Sequence, residues 1–351
     1  MLFLIFYIKY KKIIVINNCM QDALNKIFDY LKGYENFESY MLNPDRSIND
    51  ELLHQHIEQW ISQFESSEQK FIASTVVKLL ENRYITKEEE IEFIEELFEN
   101  QLLNINYTMP FPLEIQGNGK SQKHLVQHYK NVFSQHPEIN YAQDKVIYLD
   151  DFIFSGGRIY QDLTNWIPLQ KKSHKIYVAV IGYHSGIWKT KKELQNKIQE
   201  NNQKNNLNSS LIFLESIELE NRVFKKNESD VLWPMIKIFQ TNEYQRYLDP
   251  NFNHRDGFID TSYNLFETNE ERVKFENICL KYGFKIIEKC ERTHKTTKPL
   301  GNSYFGYGFG GLVFNYRNCP NNTPLIFWWG SGDISKPIYN QWHPLMPRNV
   351  Y

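Results

Sequence analysis

The pattern of apolar positions between residues 146 and 181 predicts a strand, a loop, a helix and a second strand. Residues 146–149 are four consecutive apolar residues, typical of a strand buried on both faces of a parallel sheet. Apolar residues then recur at helical spacing, at Ile159, Leu163, Trp166 and Ile167. Pro168 ends this helix, and residues 175–181 are the next apolar run. The segment therefore predicts a βαβ unit.

The same patterns extend the prediction to the rest of the chain. Residues 20–104 show helical spacing throughout, which predicts a helical arm without strands. Residues 211–214 predict a third strand, and a fourth is suggested. Residues 270–282 predict a helix that Gly283 ends, followed by a strand at 284–287. The fold class is α/β, with a mostly parallel Rossmann-like sheet and an α+β extension at the C-terminus.

Composition narrows the function classes. The 351 residues are enough for two domains, and 40 Lys+Arg against 42 Asp+Glu give no basic signature for nucleic acid. No apolar run is long enough to span a membrane. The four cysteines form no Cys-x-x-Cys pair, which argues against a zinc site or a disulfide framework and fits a cytoplasmic protein.

Four regions are predicted along the chain. Residues 1–19 alternate apolar runs with lysines, and we interpret them as a mis-assigned start before Met20 or, alternatively, a hydrophobic tail that anchors the protein. Residues 20–104 are the helical arm. Residues 105–247 are the α/β domain, and residues 248–351 are an aromatic-rich extension.

The loop after the first buried strand carries the candidate chemistry. Asp150 and Asp151 follow the strand, and Ser155, Gly156 and Gly157 precede the helix. Backbone N–H groups of a glycine turn at a helix N-terminus suit a phosphate, and Ser155 adds a hydroxyl donor. The two carboxylates suit sugar hydroxyls or Mg²⁺. Together they suggest a site for a ribose 5-phosphate, although a buried strand ending in an Asp-capped turn gives the same short pattern.

Residues 146–158 resemble the motif of type I phosphoribosyltransferases that binds 5-phosphoribosyl 1-pyrophosphate (PRPP). The resemblance implies that Asp150 and Asp151 hold the ribose hydroxyls and act in catalysis. It also implies that Ser155, Gly156, Gly157 and Arg158 cradle the 5-phosphate, and that Mg²⁺ accompanies PRPP. Arg158 stands where Thr or Ser is commoner, and its guanidinium can bind phosphate bidentately. No residue is assigned directly to a metal.

A second glycine turn precedes the helix that begins near residue 120. Gly119, Lys120 and Ser121 match the end of a P-loop, but Glu114 stands where the first glycine is required, so we exclude that site. In the resemblance, this stretch is the mobile loop over the active site, and Lys120 and Ser121 would contact the pyrophosphate. A solvent-exposed turn with a helix cap is the alternative.

Residues 230–234, 318–329 and 342–348 resemble the C-terminal extension of a bacterial family of phosphoribosyltransferase-like proteins found in conflict and phage-defence loci, including some retrons. The resemblance covers roughly residues 105–351. It implies binding of PRPP or a related nucleotide, phosphoribosyl transfer (a glycosyltransferase reaction), an antiviral role and a protein partner from the same locus. The alternative is a non-catalytic module that senses a nucleotide or contacts proteins in a defence complex.

Several other side chains are assigned from the sequence alone. Trp328, Trp329 and Trp342 are predicted to pack an apolar core, and Arg292 and Arg348 are candidate ligand contacts. His184 and Ser185 follow a strand and are either ligand contacts or turn residues. His54 and His56 flank Gln55 on a helix and do not share a face, which favours surface positions over metal ligands.

Overall fold

The computed structural model describes residues 20–37, 41–117, 120–226, 229–241, 243–257, 265–290, 294–304, 306–330 and 342–348. The predictions for residues 1–19 and for Arg292 lie outside these ranges. Among the described residues, 88–220 form one compact unit, called the sheet unit. Residues 20–87 and 221–348 form a second, called the helical unit.

The elements follow in chain order. The helices are α1 (Met20–Leu31), α2 (Asp50–Ser62), α3 (Ser66–Arg83), α4 (Lys87–Glu99), α5 (Lys120–Ser134), α6 (Gly157–Trp166), α7 (Trp188–Asn205), α8 (Asn269–Lys289) and α9 (Leu325–Trp328). The strands are β1 (Tyr84–Ile85), β2 (Thr108–Pro112), β3 (Asn140–Ile153), β4 (Lys175–His184), β5 (Ser210–Leu219) and β6 (Phe314–Asn315). Within the described ranges, none of these helices has the length and apolar character needed to cross a bilayer.

The sheet unit is built on four parallel strands in the order β2-β3-β4-β5. This confirms the predicted parallel α/β architecture. β3 continues beyond the predicted end of the strand, so that Asp150 lies in the ladder opposite Val180. The fourth strand is β2, at the edge, where Leu113 directly after it donates its N–H to the carbonyl of Ile147 at 2.8 Å.

Residues 20–87 and 221–348 of the helical unit share one apolar core. The indoles of Trp60 and Trp342 both donate to the carbonyl of Ile326, at 2.9 and 3.0 Å. Trp328 and Trp342 are 4% and 7% exposed, which confirms their predicted role in core packing. Arg348 donates to the carbonyl of Cys319, so its guanidinium is bonded within this packing.

The predicted end of a helix at Gly283 and the strand at 284–287 are wrong. Helix α8 runs without interruption through this segment to Lys289. A Cβ at Gly283 would lie 2.5 Å from Cβ of Pro299. The glycine therefore allows a close approach of two segments, and the apolar run after it is the buried face of the same helix.

The predicted surface position of His56 is also wrong. Its side chain is buried, with Nε2 2.9 Å from the carbonyl of Leu345 and Nδ1 2.8 Å from Nε2 of His343. Burial lowers the pKa of His56 to about 3 and that of His343 to about 4. The ring of His54 stacks on Phe28 with 4.1 Å between centroids.

A buried ion cluster lies in the helical unit. Glu276 accepts from Arg255 Nη2 at 2.7 Å and from Arg272 Nε at 3.1 Å, and all three side chains are fully buried. The same carboxylate accepts the backbone N–H of Trp233 at 2.9 Å, while Arg272 donates to the carbonyl of Val231. Arg255 Nε donates to the carbonyl of Trp233 at 3.0 Å. The backbone of residues 230–234 therefore supplies acceptors to both buried arginines.

Candidate functional site

The candidate site lies where β3 leaves the sheet and α6 begins. Asp150 and Asp151 are near the end of β3, and α6 starts at Gly157. Ligands of parallel α/β sheets bind at the carboxyl ends of the strands, which is the edge where this loop lies. The structure therefore places both predicted carboxylates and the predicted phosphate loop in one short segment, residues 150–158, at this edge of the sheet.

Asp150 is 8% exposed and is held by neutral donors. Gln116 Nε2 donates to its Oδ2 at 3.2 Å, and the Asp151 N–H donates to its Oδ1 at 3.1 Å. Burial raises the pKa of Asp150 well above its usual value, and the negative charge of Asp151 raises it further. A carboxyl in this state gains from a cation or from hydroxyl donors placed beside it.

A buried polar network supports Asp150, and the sequence analysis did not find it. Gln116 Nε2 also donates to the Tyr148 hydroxyl at 2.7 Å, and that hydroxyl donates to Asp162 Oδ2 at 2.9 Å. Gln122 Oε1 accepts the N–H groups of Ile115 and Gln116 at 3.1 and 2.9 Å. The signal for Tyr148 was its position two residues before Asp150, which puts both on one face of the strand.

The predicted phosphate loop turns tightly at Gly156. Gly156 has a φ of 72°, and a Cβ there would lie 2.8 Å from Cγ2 of Thr190. Thr190 Oγ1 donates to the carbonyl of Ser155 at 3.3 Å, which ties the loop to the start of α7. Ser155, Gly157 and Arg158 are exposed at the N-terminus of α6, where the N–H of Gly157 donates to Ser155 Oγ at 3.3 Å.

The residues under the loop are packed. Phe154 is 7% exposed, with its ring centroid 5.8 Å from that of His184. Ser185 is buried and donates to Glu220 at 3.0 Å. Phe154, which lies within residues 146–158, is therefore a packing residue beside His184.

Lys191 is a cation at the same edge that sequence reasoning missed. It follows Thr190 on α7, and its Nζ lies 4.5 Å from the ring centroid of Tyr183 and 4.9 Å from that of Phe213. Burial lowers the pKa of Lys191 to about 8, while Glu218 opposes that shift. The sequence does not show that the preceding residue, Thr190, bonds to the carbonyl of Ser155, so it does not place Lys191 at this edge.

The predicted pyrophosphate contacts begin α5. Lys120 is the first residue of that helix, and its side chain lies outside the described part of the structure. Ser121 is half-buried in the same first turn. Their predicted role stays a prediction.

A parallel sheet with two carboxylates at the end of a central strand, followed by a glycine loop at a helix N-terminus, is the architecture of a phosphoribosyltransferase-like protein. The sequence model of PRTase-CE, the phosphoribosyltransferase family with a C-terminal extension, matches residues 57–348. The chain belongs to this family. No curated protein matches it, and no solved structure does.

Proposed function

We propose that the protein is a cytoplasmic phosphoribosyltransferase-like protein that binds PRPP or a related ribose-phosphate nucleotide with Mg²⁺. The observation that carries the proposal is the buried Asp150 beside Asp151, directly before an exposed helix N-terminus. Carboxylates accept hydrogen bonds from ribose hydroxyls, and backbone amides donate to a phosphate. A ribose 5-phosphate carries both groups in one small molecule, with hydroxyls on C2 and C3 and the phosphate on the C5 oxygen.

In this proposal each group of the loop has a separate task. Asp150 and Asp151 accept from the ribose hydroxyls, and their negative charge stabilises an oxocarbenium-like state at the anomeric carbon. Ser155, Gly157 and Arg158 hold the 5-phosphate, and this remote contact positions the reacting carbon. Carboxylate oxygens with phosphate oxygens and water are the ligands that Mg²⁺ prefers, so the residues present fit that ion.

The test is calorimetric titration of the full chain with PRPP, with and without Mg²⁺. The double variant Asp150→Asn, Asp151→Asn should lose binding, whereas Asp144→Asn, an exposed carboxylate on the same strand, should bind as the wild type does. Arg158→Gln should weaken binding by roughly 10–100-fold, because a hydrogen bond to a charged group contributes about 1.5–3 kcal/mol. Absence of wild-type binding to PRPP, AMP and ribose 5-phosphate would reject the proposal.

The second candidate is a non-catalytic module that senses the nucleotide and contacts a protein partner. The observation that favours it is the apolar pair Val223 and Phe224 in the helical unit, which are 54% and 79% exposed. Turnover separates the candidates, since only the enzyme releases pyrophosphate when it is offered PRPP and an acceptor base.

A role in anti-phage defence rests on the family resemblance. Phage challenge of a bacterium that carries the whole locus tests it. The Asp150→Asn, Asp151→Asn variant should abolish protection if the ribose-phosphate site is needed for defence.

A further inference from the structure

A second cluster of polar side chains lies in the sheet unit, between α4 and α5. Glu90 on α4 faces two histidines of α5, His124 and His128, which are four residues apart and therefore share one face of that helix. Its Oε1 lies 3.2 Å from His124 Nε2 and 3.4 Å from His128 Nδ1. The three ligand atoms all lie within 4.8 Å of one another.

The burial of Glu90 is unusual for its position. The first turn of helix α4 contains three glutamates, and Glu88 and Glu89 are exposed, whereas the side chain of Glu90 is 0% exposed. A buried carboxylate is costly unless positive charge or several donors compensate for it. A divalent cation held between the carboxylate and two neutral imidazoles would place positive charge directly against this buried oxygen.

The distances also fit a metal. Ligand atoms at 2.0–2.1 Å from a tetrahedral Zn²⁺ lie about 3.3–3.4 Å from one another. The distances of 3.2 and 3.4 Å from Glu90 to the two rings are close to that edge length. The side chain of His124 is 31% exposed, so the cluster opens to solvent on the side of that residue.

We propose that Glu90, His124 and His128 bind one late first-row divalent metal ion, for which Zn²⁺ is the reference, with a water on the open position. Two imidazoles and a carboxylate suit Zn²⁺, Ni²⁺, Cu²⁺ or Fe²⁺ rather than the harder Mg²⁺. The ion would join α4 to α5. Gln122 of α5 accepts the backbone N–H groups of Ile115 and Gln116, and the side chain of Gln116 donates to Asp150 of the candidate ribose-phosphate site. The metal site itself does not depend on the proposed function.

The experiment uses the full chain without an affinity tag, stripped with a chelator and titrated with Zn²⁺ against a chromophoric chelator. We expect one Zn²⁺ per chain, and visible d–d bands of low-symmetry coordination after loading with Co²⁺. Loss of even an outer-shell partner weakens a metal site by about 10–100-fold, so His124→Gln and Glu90→Gln should each weaken Zn²⁺ by about 100-fold or more. No PRPP is present, so the result is independent of the ribose-phosphate test.

The matched control is His136→Gln. His136 is another histidine of the sheet unit and lies 3.3 Å from a single carboxylate, that of Glu138. It should bind Zn²⁺ as the wild type does. Circular dichroism checks the fold of each variant, and the Co²⁺ spectrum of the wild type needs no variant. If the wild type takes up no Zn²⁺, or if Glu90→Gln binds it equally well, the cluster is a hydrogen-bonded buried carboxylate only and the proposal is overturned.

Discussion

Two buried carboxylates, Glu276 in the helical unit and Asp150 in the sheet unit, are held in different ways. In the helical unit, Glu276 lies between the guanidinium groups of Arg255 and Arg272, at 2.7 and 3.1 Å. In the sheet unit, Asp150 is bonded to the side-chain amide of Gln116 and to the backbone N–H of Asp151. In the part of the chain that the structure describes, no cation lies within ion-pair distance of Asp150.

The difference separates a structural role from a ligand-binding one. The charge of Glu276 is compensated inside the fold, so the cluster requires nothing from outside. The charge of Asp150 is not, and its raised pKa records the cost of ionising it there. A metal ion or a hydroxyl donor placed beside Asp150 would stabilise its charged form, and this would favour binding. Glu276 gives no such gain, because its two arginines already compensate its charge.

The largest expected effect comes from a substitution that breaks the ion cluster of Glu276, Arg255 and Arg272. Glu276→Gln leaves two buried guanidinium groups without their carboxylate, which typically costs about 3–5 kcal/mol of unfolding free energy. The control is Glu288→Gln on the same helix, whose partner Arg246 is mostly exposed, and about 1 kcal/mol or less is expected there. Urea unfolding followed by tryptophan fluorescence measures both. Equal losses in the two variants would contradict the structural role of the cluster.

A smaller effect is expected in the loop of the sheet unit. Gly156→Ala forces a side chain into the left-handed region and against Thr190, so we expect a loss of about 2 kcal/mol. A Cβ at Gly157 would meet nothing closer than Ser155 Oγ at 3.5 Å, so Gly157→Ala should change stability by less than about 0.5 kcal/mol. Thermal unfolding of both proteins compares them. Similar melting temperatures would show that the loop conformation is not fixed by its glycine.

The smallest effect is a difference in pH dependence between the units. His56 has a lowered pKa, so the unfolded chain binds its proton first and wild-type stability falls below about pH 6.5. At pH 5.5 this loss is about 1.4 kcal/mol relative to His56→Gln. Asp150 has a raised pKa, so the folded chain keeps its proton and stability falls as pH rises above about 4 relative to Asp150→Asn. Urea midpoints between pH 4 and 7 test both signs, and a shared sign would contradict one assignment.

The sequence predicted the part of the fold that depends on local patterns. The strand at 146–149, the helix after it and the next strand were visible because their apolar residues follow regular periods. The prediction at Gly283 was wrong because a glycine that allows close packing has the same sequence signature as one that ends a helix. The core of the helical unit depends on contacts between distant segments, such as that of Trp60 with Ile326, which no local pattern contains.

The sequence predicted the carboxylates and the glycine loop of the candidate site, but not the residues that hold Asp150 in place. The carboxylates and the glycine loop are contiguous, so a short motif reveals them. Gln116 lies in the loop before α5 and Asp162 lies on α6, and both bond to the Tyr148 hydroxyl only in the folded sheet unit. The same holds for Glu90, because the spacing of His124 and His128 is visible in the sequence while their carboxylate partner is 34 residues earlier on another helix.

Strand β2 has a consequence for how copies of this protein meet one another. Leu113, directly after β2, is bonded to Ile147 of β3, and the carbonyl of Pro110 accepts the hydroxyl of Tyr129 on α5 at 2.9 Å. Pro110 and Pro112, which lie in this edge strand of the described sheet, are both buried. Proline has no N–H to offer a further strand. The border of the sheet next to the candidate site is therefore closed to extension by a neighbouring chain, and this edge is protected from the strand-to-strand aggregation that an unblocked one invites.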